Sequence, residues 1–243
     1  QRRRTMELAK PCIDVGLFTN RLDEMRTFWG EKLRLPFEEI LALGGGVKQH
    51  RFGLLGSVLK INHARDPLPP RVAGGYKKIT FADPRTPLSV ALKDPDGNDV
   101  ELVPYGQRDI QQFEIHITVT DEAAFERFYG ESLGGERLSP SRFRIGQTIV
   151  SFGKDRDARR ADKTPPSSAQ DVVGTMVAVG FRYITIQVRD CGKEYERLKS
   201  LGVWEGAPPV TLGEVARIAF VRDPDGNWIE ISQRASLTGA LPK

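Results

Sequence analysis

Asp94-Pro95-Asp96-Gly97-Asn98 and Asp223-Pro224-Asp225-Gly226-Asn227 are the same five residues in the same order, stated twice in one chain. Each copy runs into a short apolar stretch holding one glutamate: Asp99-Val100-Glu101-Leu102-Val103 and Trp228-Ile229-Glu230-Ile231-Ser232. The five residues have the chemistry of a tight turn. Proline presets φ, Asp and Asn side chains bond back to their own backbone, and glycine accepts a positive φ. Asp-Gly between two strand-like runs predicts a β-hairpin. Alternate side chains of the following strand reach one face of the sheet. A glutamate on a concave face among apolar neighbours needs a partner, a proton or a metal.

A second repeat lies upstream of the first. Phe28-Trp29-Gly30-Glu31-Lys32-Leu33 recurs as Phe128-Tyr129-Gly130-Glu131-Ser132-Leu133. Before each comes a strand-like run, Ile13 to Leu17 and Ile115 to Val119. Between strand and aromatic pair the apolar spacing turns helical, with Leu22, Met25, Phe28, Trp29 and Leu33 on one face, and Phe125, Phe128, Tyr129 and Leu133 on the other copy. These aromatics are read as helix core. A third strand, Tyr183 to Val188, precedes a helix from Cys191 to Leu201 with Tyr195 and Leu198 facing in. Hairpins are predicted at Lys48–Gly53 with Ser57–His63, and at Arg142–Ile145 with Thr148–Gly153. The repeated unit is therefore strand, helix, then a run of strands.

Composition sets the class. With 39% hydrophobic and 28% charged residues, the chain has the make-up of a soluble globular protein. Two distant cysteines, Cys12 and Cys191, argue against a disulfide framework and suit a reducing, cytoplasmic setting. No apolar run approaches a membrane span, and no secretory signal follows the basic start. The net charge of +4 is gathered largely near the N-terminus and in Lys154–Lys163, so a solvated basic surface is expected rather than a nucleic-acid groove.

The motifs together resemble the vicinal-oxygen-chelate superfamily, which includes glyoxalase I, bleomycin-resistance proteins and extradiol dioxygenases. The resemblance covers about residues 11–234. It implies an α+β fold of tandem βαβββ modules making two curved-sheet domains, over about 11–105 and 112–234. Residues 1–10 are expected to be flexible, and 235–243 to be a tail. Measured from Asp14, Lys78 and Glu101 against His116, Tyr183 and Glu230, the first domain is short in its second module by roughly one helix and a strand. Lys154 to Gln170, rich in charge, Pro and Ser, reads as an exposed loop, and Asp171–Val179 as a short helix.

Members of the superfamily that use metal take ligands from inward positions on the first and last strands of each module. In the second domain those positions hold His116, Ser151, Tyr183 and Glu230. The resemblance implies a divalent metal (Fe, Mn, Ni or Zn) on His116 and Glu230, with Tyr183 as phenolate ligand or donor. Metal-free acid–base work by His116, Tyr183 and Glu230 is a second reading, and a hydrogen-bonded polar cluster in a binding cleft a third. Ser151 and Gln187 are candidate substrate contacts. In the first domain the positions hold Asp14, Lys60, Lys78 and Glu101, and protonated lysine cannot coordinate. Two ion pairs are expected there in place of a metal. Alternatively His50, Lys60 and Lys78 form an anion pocket, with His50 placed across the hairpin from Lys60. The expected function is a metal-assisted lyase, isomerase or dioxygenase on a small molecule with vicinal oxygens. The alternative is a metal-free binding protein with aromatic walls from Phe181, Trp204 and Trp228. A homodimer is possible; neither nucleic acid nor membrane is an expected partner.

Overall fold

Among the described residues fifteen strands form two mixed sheets, and each sheet draws strands from both halves of the sequence. The computed structural model describes residues 5–161 and 176–242. Most of the expected Pro/Ser-rich loop and of the helix from Asp171 to Val179 lies outside the described residues, as do residues 1–4.

The first module is β1 (Asp14–Thr19), α1 (Leu22–Arg26), β2 (Phe37–Gly44), β3 (Val47–Leu54) and β4 (Ser57–Ala64). The second has only β5 (Gly75–Ala82), β6 (Val90–Lys93) and β7 (Asp99–Val103), so it lacks a helix and one strand. The third is β8 (Phe113–Val119), α2 (Glu122–Arg127), β9 (Glu136–Ser139), β10 (Arg142–Ile145) and β11 (Thr148–Lys154). The fourth is β12 (Gly180–Gln187), α3 (Cys191–Ser200), β13 (Trp204–Leu212), β14 (Ala216–Arg222) and β15 (Trp228–Arg234).

Pairing runs across the chain rather than along it. The eight-stranded sheet, β13-β14-β15-β12-β1-β4-β3-β2, joins the first and fourth modules through the antiparallel β1–β12 ladder. The seven-stranded sheet, β6-β7-β5-β8-β11-β10-β9, joins the second and third through β5–β8. The division at 11–105 and 112–234 follows the sequence; the sheets cut across it.

Local chemistry explains the repeated motifs. In both turns the first aspartate holds the loop closed. Asp94 accepts from the backbone of Asp96 and Asn98 and from the Asn98 amide. Asp223 does the same with Asp225 and Asn227. Gly97 and Gly226 take φ of 80° and 88°, values that a side chain disfavours. At the aromatic pairs, α1 and α2 each widen into a π-helical turn, Thr27–Lys32 and Phe128–Ser132. There a Cβ on Gly30 or Gly130 would stand 3.0 or 2.9 Å from the ring of Phe52 or Phe143. The glycine after each pair is thus a packing requirement.

One core serves both sheets. Trp29, Phe125, Tyr129, Tyr195 and Leu198 from the helices pack with Val15, Leu17, Ile115, Ile117, Ile184 and Ile186 from central strands. Truncating a buried aromatic of this kind costs about 3–5 kcal/mol. The alternating residues Asp14, Gly16 and Phe18, Glu114 and His116, and Tyr183, Thr185 and Gln187 face the other way, onto the inner surfaces of the curved sheets. The expected flexible start is docked from Thr5 on: Met6 is buried, Leu8 bridges Val188, and Ala9 donates to Gln187. Burying Met6 and pairing the backbone with the end of β12 fix it. At the other end, Ala235–Thr238 is a short helix whose first amide donates to Val215.

Candidate functional site

The inner face of the eight-stranded sheet carries Asp14, Lys60, Tyr183, Thr185, Gln187 and Glu230. The register sets Asp14 beside Thr185, Thr185 beside Glu230, and Lys60 and Tyr183 on either side of Gly16. Gly16 is where it is because a Cβ would overlap the Tyr183 ring. The Lys60 ammonium, 4% exposed, donates to Thr185 Oγ1 at 2.7 Å, lies 3.5 Å from Glu230 Oε2 and sits over the Tyr183 ring. Burial lowers its pKa, opposed by Glu230 and then Asp14. Asp14 is fully buried. It accepts from Lys10 at 2.5 Å, from the Val58 amide at 2.7 Å and from Gln187 at 3.3 Å. The Tyr183 hydroxyl accepts from Asn62 at 3.0 Å and Gln49 at 3.3 Å. Burial, with Glu230 adding, raises the phenol's pKa against the Asn62 bond, so Tyr183 stays protonated. Further along the same face Arg222 lies between the rings of Trp204 and Trp228, at 4.3 and 4.5 Å. Phe18, Tyr183 and Trp228 pack with Leu68, Val177 and Phe220. At the rim, Glu39 on edge strand β2 pairs with both Arg51 and Arg234. Nearly every charge on this surface is matched by another group of the chain.

The inner face of the seven-stranded sheet is more open. His116 sits between Lys78 of β5 and Ser151 of β11 in the ladders. His116 Nδ1 is 2.9 Å from Ser151 Oγ, and Ser151 donates to Glu114 Oε1 at 2.8 Å. Glu114 in turn is held by Arg142, at 2.8 and 2.9 Å. Serine has one hydroxyl proton, and here it goes to the carboxylate. The contact with His116 therefore requires Nδ1 to be the donor, which places the lone pair of the neutral ring on Nε2. Gly153, beside the imidazole, bears no side chain to cover that edge. Burial lowers the His116 pKa, Glu114 opposes it, and Lys78 lowers it further, so the ring is neutral near pH 7. This is not a hydrolase triad: the serine stands between histidine and carboxylate, and its proton is not available to the histidine. Beside it, Glu101 takes Lys78 on Oε2 and Arg108 on Oε1, each at 3.0 Å, and also accepts from Thr80.

Several expectations are corrected by these positions. His116 and Glu230 lie in different sheets and share no partner among the described residues, so the topology does not assemble them, or His116 with Tyr183, into one site. The four positions of each half are dealt to different sheets: Asp14 and Lys60 join Tyr183 and Glu230, while Lys78 and Glu101 join His116 and Ser151. Of the two expected ion pairs, Lys78–Glu101 forms, but Lys60 pairs with Glu230 and Asp14 with Lys10. His50 is not opposite Lys60. The β3–β4 turn holds only Leu55 and Gly56, so Arg51 pairs with Lys60, and His50 pairs with Ile61 on the buried opposite face. That separates His50 from Lys60, and Lys78 lies in the other sheet, so the proposed anion pocket of these three does not form. Phe181 belongs to the shared core, and the Trp204–Trp228 wall is filled by Arg222.

A model of the Glyoxalase/Bleomycin resistance protein/Dioxygenase superfamily matches residues 110–231, half of the chain. The chain belongs to this superfamily. A lactoylglutathione lyase of Pseudomonas aeruginosa is 42% identical over 62 residues, 26% of this chain and about a third (34%) of that enzyme. The uncharacterized protein YurT of Bacillus subtilis is 30% identical over 121 residues, 49% of this chain and 94% of that protein. Among solved structures, glyoxalase I from Zea mays superposes with a TM-score of 0.70 at 14% identity, covering 94% of this chain and 92% of that one. A putative dioxygenase from Bacillus subtilis superposes at 0.68 with 12% identity, covering 96% and 86%. At such identities the likeness is one of fold.

Superfamily members commonly use a divalent metal, which needs several donors converging on one point. Neither face fits. Around Asp14 and Glu230 the place of a cation is taken by the Lys60 ammonium, and Tyr183 is a protonated phenol. On the other face, His116 offers one nitrogen beside the ammonium of Lys78, which has donors only. Among the described residues no three His, Cys, Asp or Glu side chains gather as a metal would need. Among the described residues, too, no helix is long and apolar enough to cross a membrane.

Three residues that complete the open face were missed in the sequence. Glu114 had a signal, since it alternates with His116 on one strand. Arg142 had one as well, across the predicted hairpin from Ser151. Arg108 sits in the connection between halves and had none.

Proposed function

We propose that this superfamily member is an acid–base enzyme that needs no resident metal. It moves a proton next to a carbonyl or hydroxyl of a small molecule with adjacent oxygens, on the inner face of the seven-stranded sheet. One observation carries the reading. The chain from Arg142 through Glu114 and Ser151 fixes His116 with its proton on Nδ1 and an uncovered Nε2 lone pair. A general base needs this: a neutral imidazole near pH 7, held in one tautomer and within reach of a substrate. Lys78, next to His116 in the ladder, supplies positive charge for the oxyanion that forms when the proton leaves. Ser151, Glu114 and Arg142 orient the base and do not react. Isomerisation, epimerisation and elimination next to a carbonyl can each begin with such a proton transfer.

The test is solvent exchange of the carbon-bound proton, followed by proton NMR in D2O on a panel of 2-hydroxy acids, 2-oxo acids and hemithioacetals. The wild-type protein exchanges at least one class. His116→Gln lowers that rate by about 10²-fold or more, the usual contribution of a positioned base. The pH profile of the wild type falls on the acid side below the ordinary imidazole value of about 6.5, because burial lowers the His116 pKa. Exchange that survives His116→Gln removes the assignment.

A further inference from the structure

The seven-stranded face contains a carboxylate already bound. Glu101 reaches from β7 and offers one oxygen to Lys78 and the other to Arg108, each at 3.0 Å. Burial works to raise this carboxyl, but Lys78 and Arg108 outweigh it and hold it below the usual range. Two cations share the one carboxylate of Glu101, while Glu114 and Asp109 are taken up by Arg142. Both cations are open to solvent, Lys78 at 37% and Arg108 at 46% side-chain exposure, while Glu101 lies beneath them at 15%. The arrangement therefore presents cations outward and keeps its own anion at the floor.

The backbone that carries Arg108 is strained. Arg108 and Asp109 have φ of 55° and 62°, the left-handed region that non-glycine residues occupy at a cost. The turn is held there by its contacts with the cleft. The Arg108 carbonyl accepts from Arg142, and the Asp109 carboxylate lies 3.7 Å from the same guanidinium. Arg142 also clamps Glu114, at the far end of the His116 chain. The connection between the halves of the protein is thus tied to the ion pair through Arg108 and, through Arg142 and Glu114, to the chain that holds the base.

We infer that Lys78 and Arg108 form a binding subsite for the carboxylate of an anionic substrate, and that Glu101 is a built-in competitor standing where that carboxylate docks. The ligand class is a small 2-oxo or 2-hydroxy carboxylate, whose second oxygen then falls toward Lys78 and His116. This rests on the proposed acid–base reading for its chemistry but not for its binding. The subsite binds the anion whether or not His116 transfers a proton.

Calorimetric titration at low ionic strength with oxalate, a dianion with adjacent oxygens, tests the subsite. Oxamide, the uncharged molecule of the same shape, is the control. Wild type binds oxalate and not oxamide. Arg108→Gln weakens oxalate about tenfold, the loss of one charged hydrogen bond. Glu101→Gln tightens it by a similar factor, because the competitor loses its charge while keeping its shape. Arg108 is exposed, so its variant keeps the fold and decides the matter even where Glu101→Gln does not. Equal affinity in wild type and Arg108→Gln, equal binding of oxamide, or no oxalate binding at all overturns the subsite. Oxalate binding with this pattern in a protein that exchanges no proton leaves the subsite standing and removes the His116 assignment instead.

Discussion

The two inner faces of this protein are built from the same modules and end in opposite states. On the eight-stranded sheet the charges are turned toward one another: Lys60 answers Glu230, Lys10 answers Asp14, and Arg222 fills the slot between two tryptophans. On the seven-stranded sheet the truncated second module leaves β6 as a four-residue edge strand, and His116, Lys78 and Arg108 remain within reach of solvent. The lesson is that position in a fold is not a role. Inward positions on first and last strands hold a buried cation on one face and a base with an uncovered lone pair on the other. What separates them is how far the charged groups are shut away from solvent: the Lys60 side chain is 4% exposed, those of Lys78 and Arg108 37% and 46%.

That comparison is broken most sharply at Lys60. Replacing it by methionine leaves Glu230 without its ammonium partner, while Asp14 keeps Lys10. Removing one partner of a buried pair typically costs about 3–5 kcal/mol, so urea unfolding of Lys60→Met shows a loss of that order. Lys78→Met on the open face loses at most about 1 kcal/mol. Equal losses in the two variants contradict the distinction. The next effect is steric. Gly16→Ala sets a methyl into the Tyr183 ring, and overpacking of this kind costs about 1–3 kcal/mol. Gly16→Ala costs less in a Tyr183→Ala background than in the wild type, a difference that a double-mutant cycle reads directly.

The smallest effect is one of pH. Both nitrogens of His50 are buried without a hydrogen-bond partner among the described residues. Burial lowers its pKa, with Arg26, His63 and Lys48 acting in the same direction. A histidine whose folded pKa is depressed supports the fold above its unfolded value, near 6.5, and that support is lost as pH falls toward the folded value. Stability therefore drops on acidification below about pH 6.5. His50→Leu flattens the drop, as thermal melts at pH 7 and pH 5 show. An unchanged slope would place the acid sensitivity elsewhere.

The fold was legible in the sequence because its signals are local. Asp-Pro-Asp-Gly-Asn closes a turn with its own side chains, and the glycine after each aromatic pair sits under a phenylalanine ring from the next hairpin. Hairpin limits followed from the same chemistry. The site was less legible for two physical reasons. Hydrophobic alternation says which face a residue takes but not which strand lies next to it, so nothing local told β1 to pair with β12 or β5 with β8. Register is also unforgiving: a turn one residue shorter than expected exchanged His50 for Arg51 and sent the histidine to the opposite face. Glu114 and Arg142 become visible once β8 and β10 are known to flank β11. Arg108 depends on a strained turn that no propensity predicts.

The tautomer of His116 is the most direct test of the account. Long-range nitrogen–proton NMR of the three histidines, assigned through single His→Gln variants, reads which ring nitrogen carries the proton. His116 is expected to be neutral at pH 7 with its proton on Nδ1, to titrate below about 6.5, and to shift when oxalate is added. A proton on Nε2, or a His116 charged at pH 7, contradicts it.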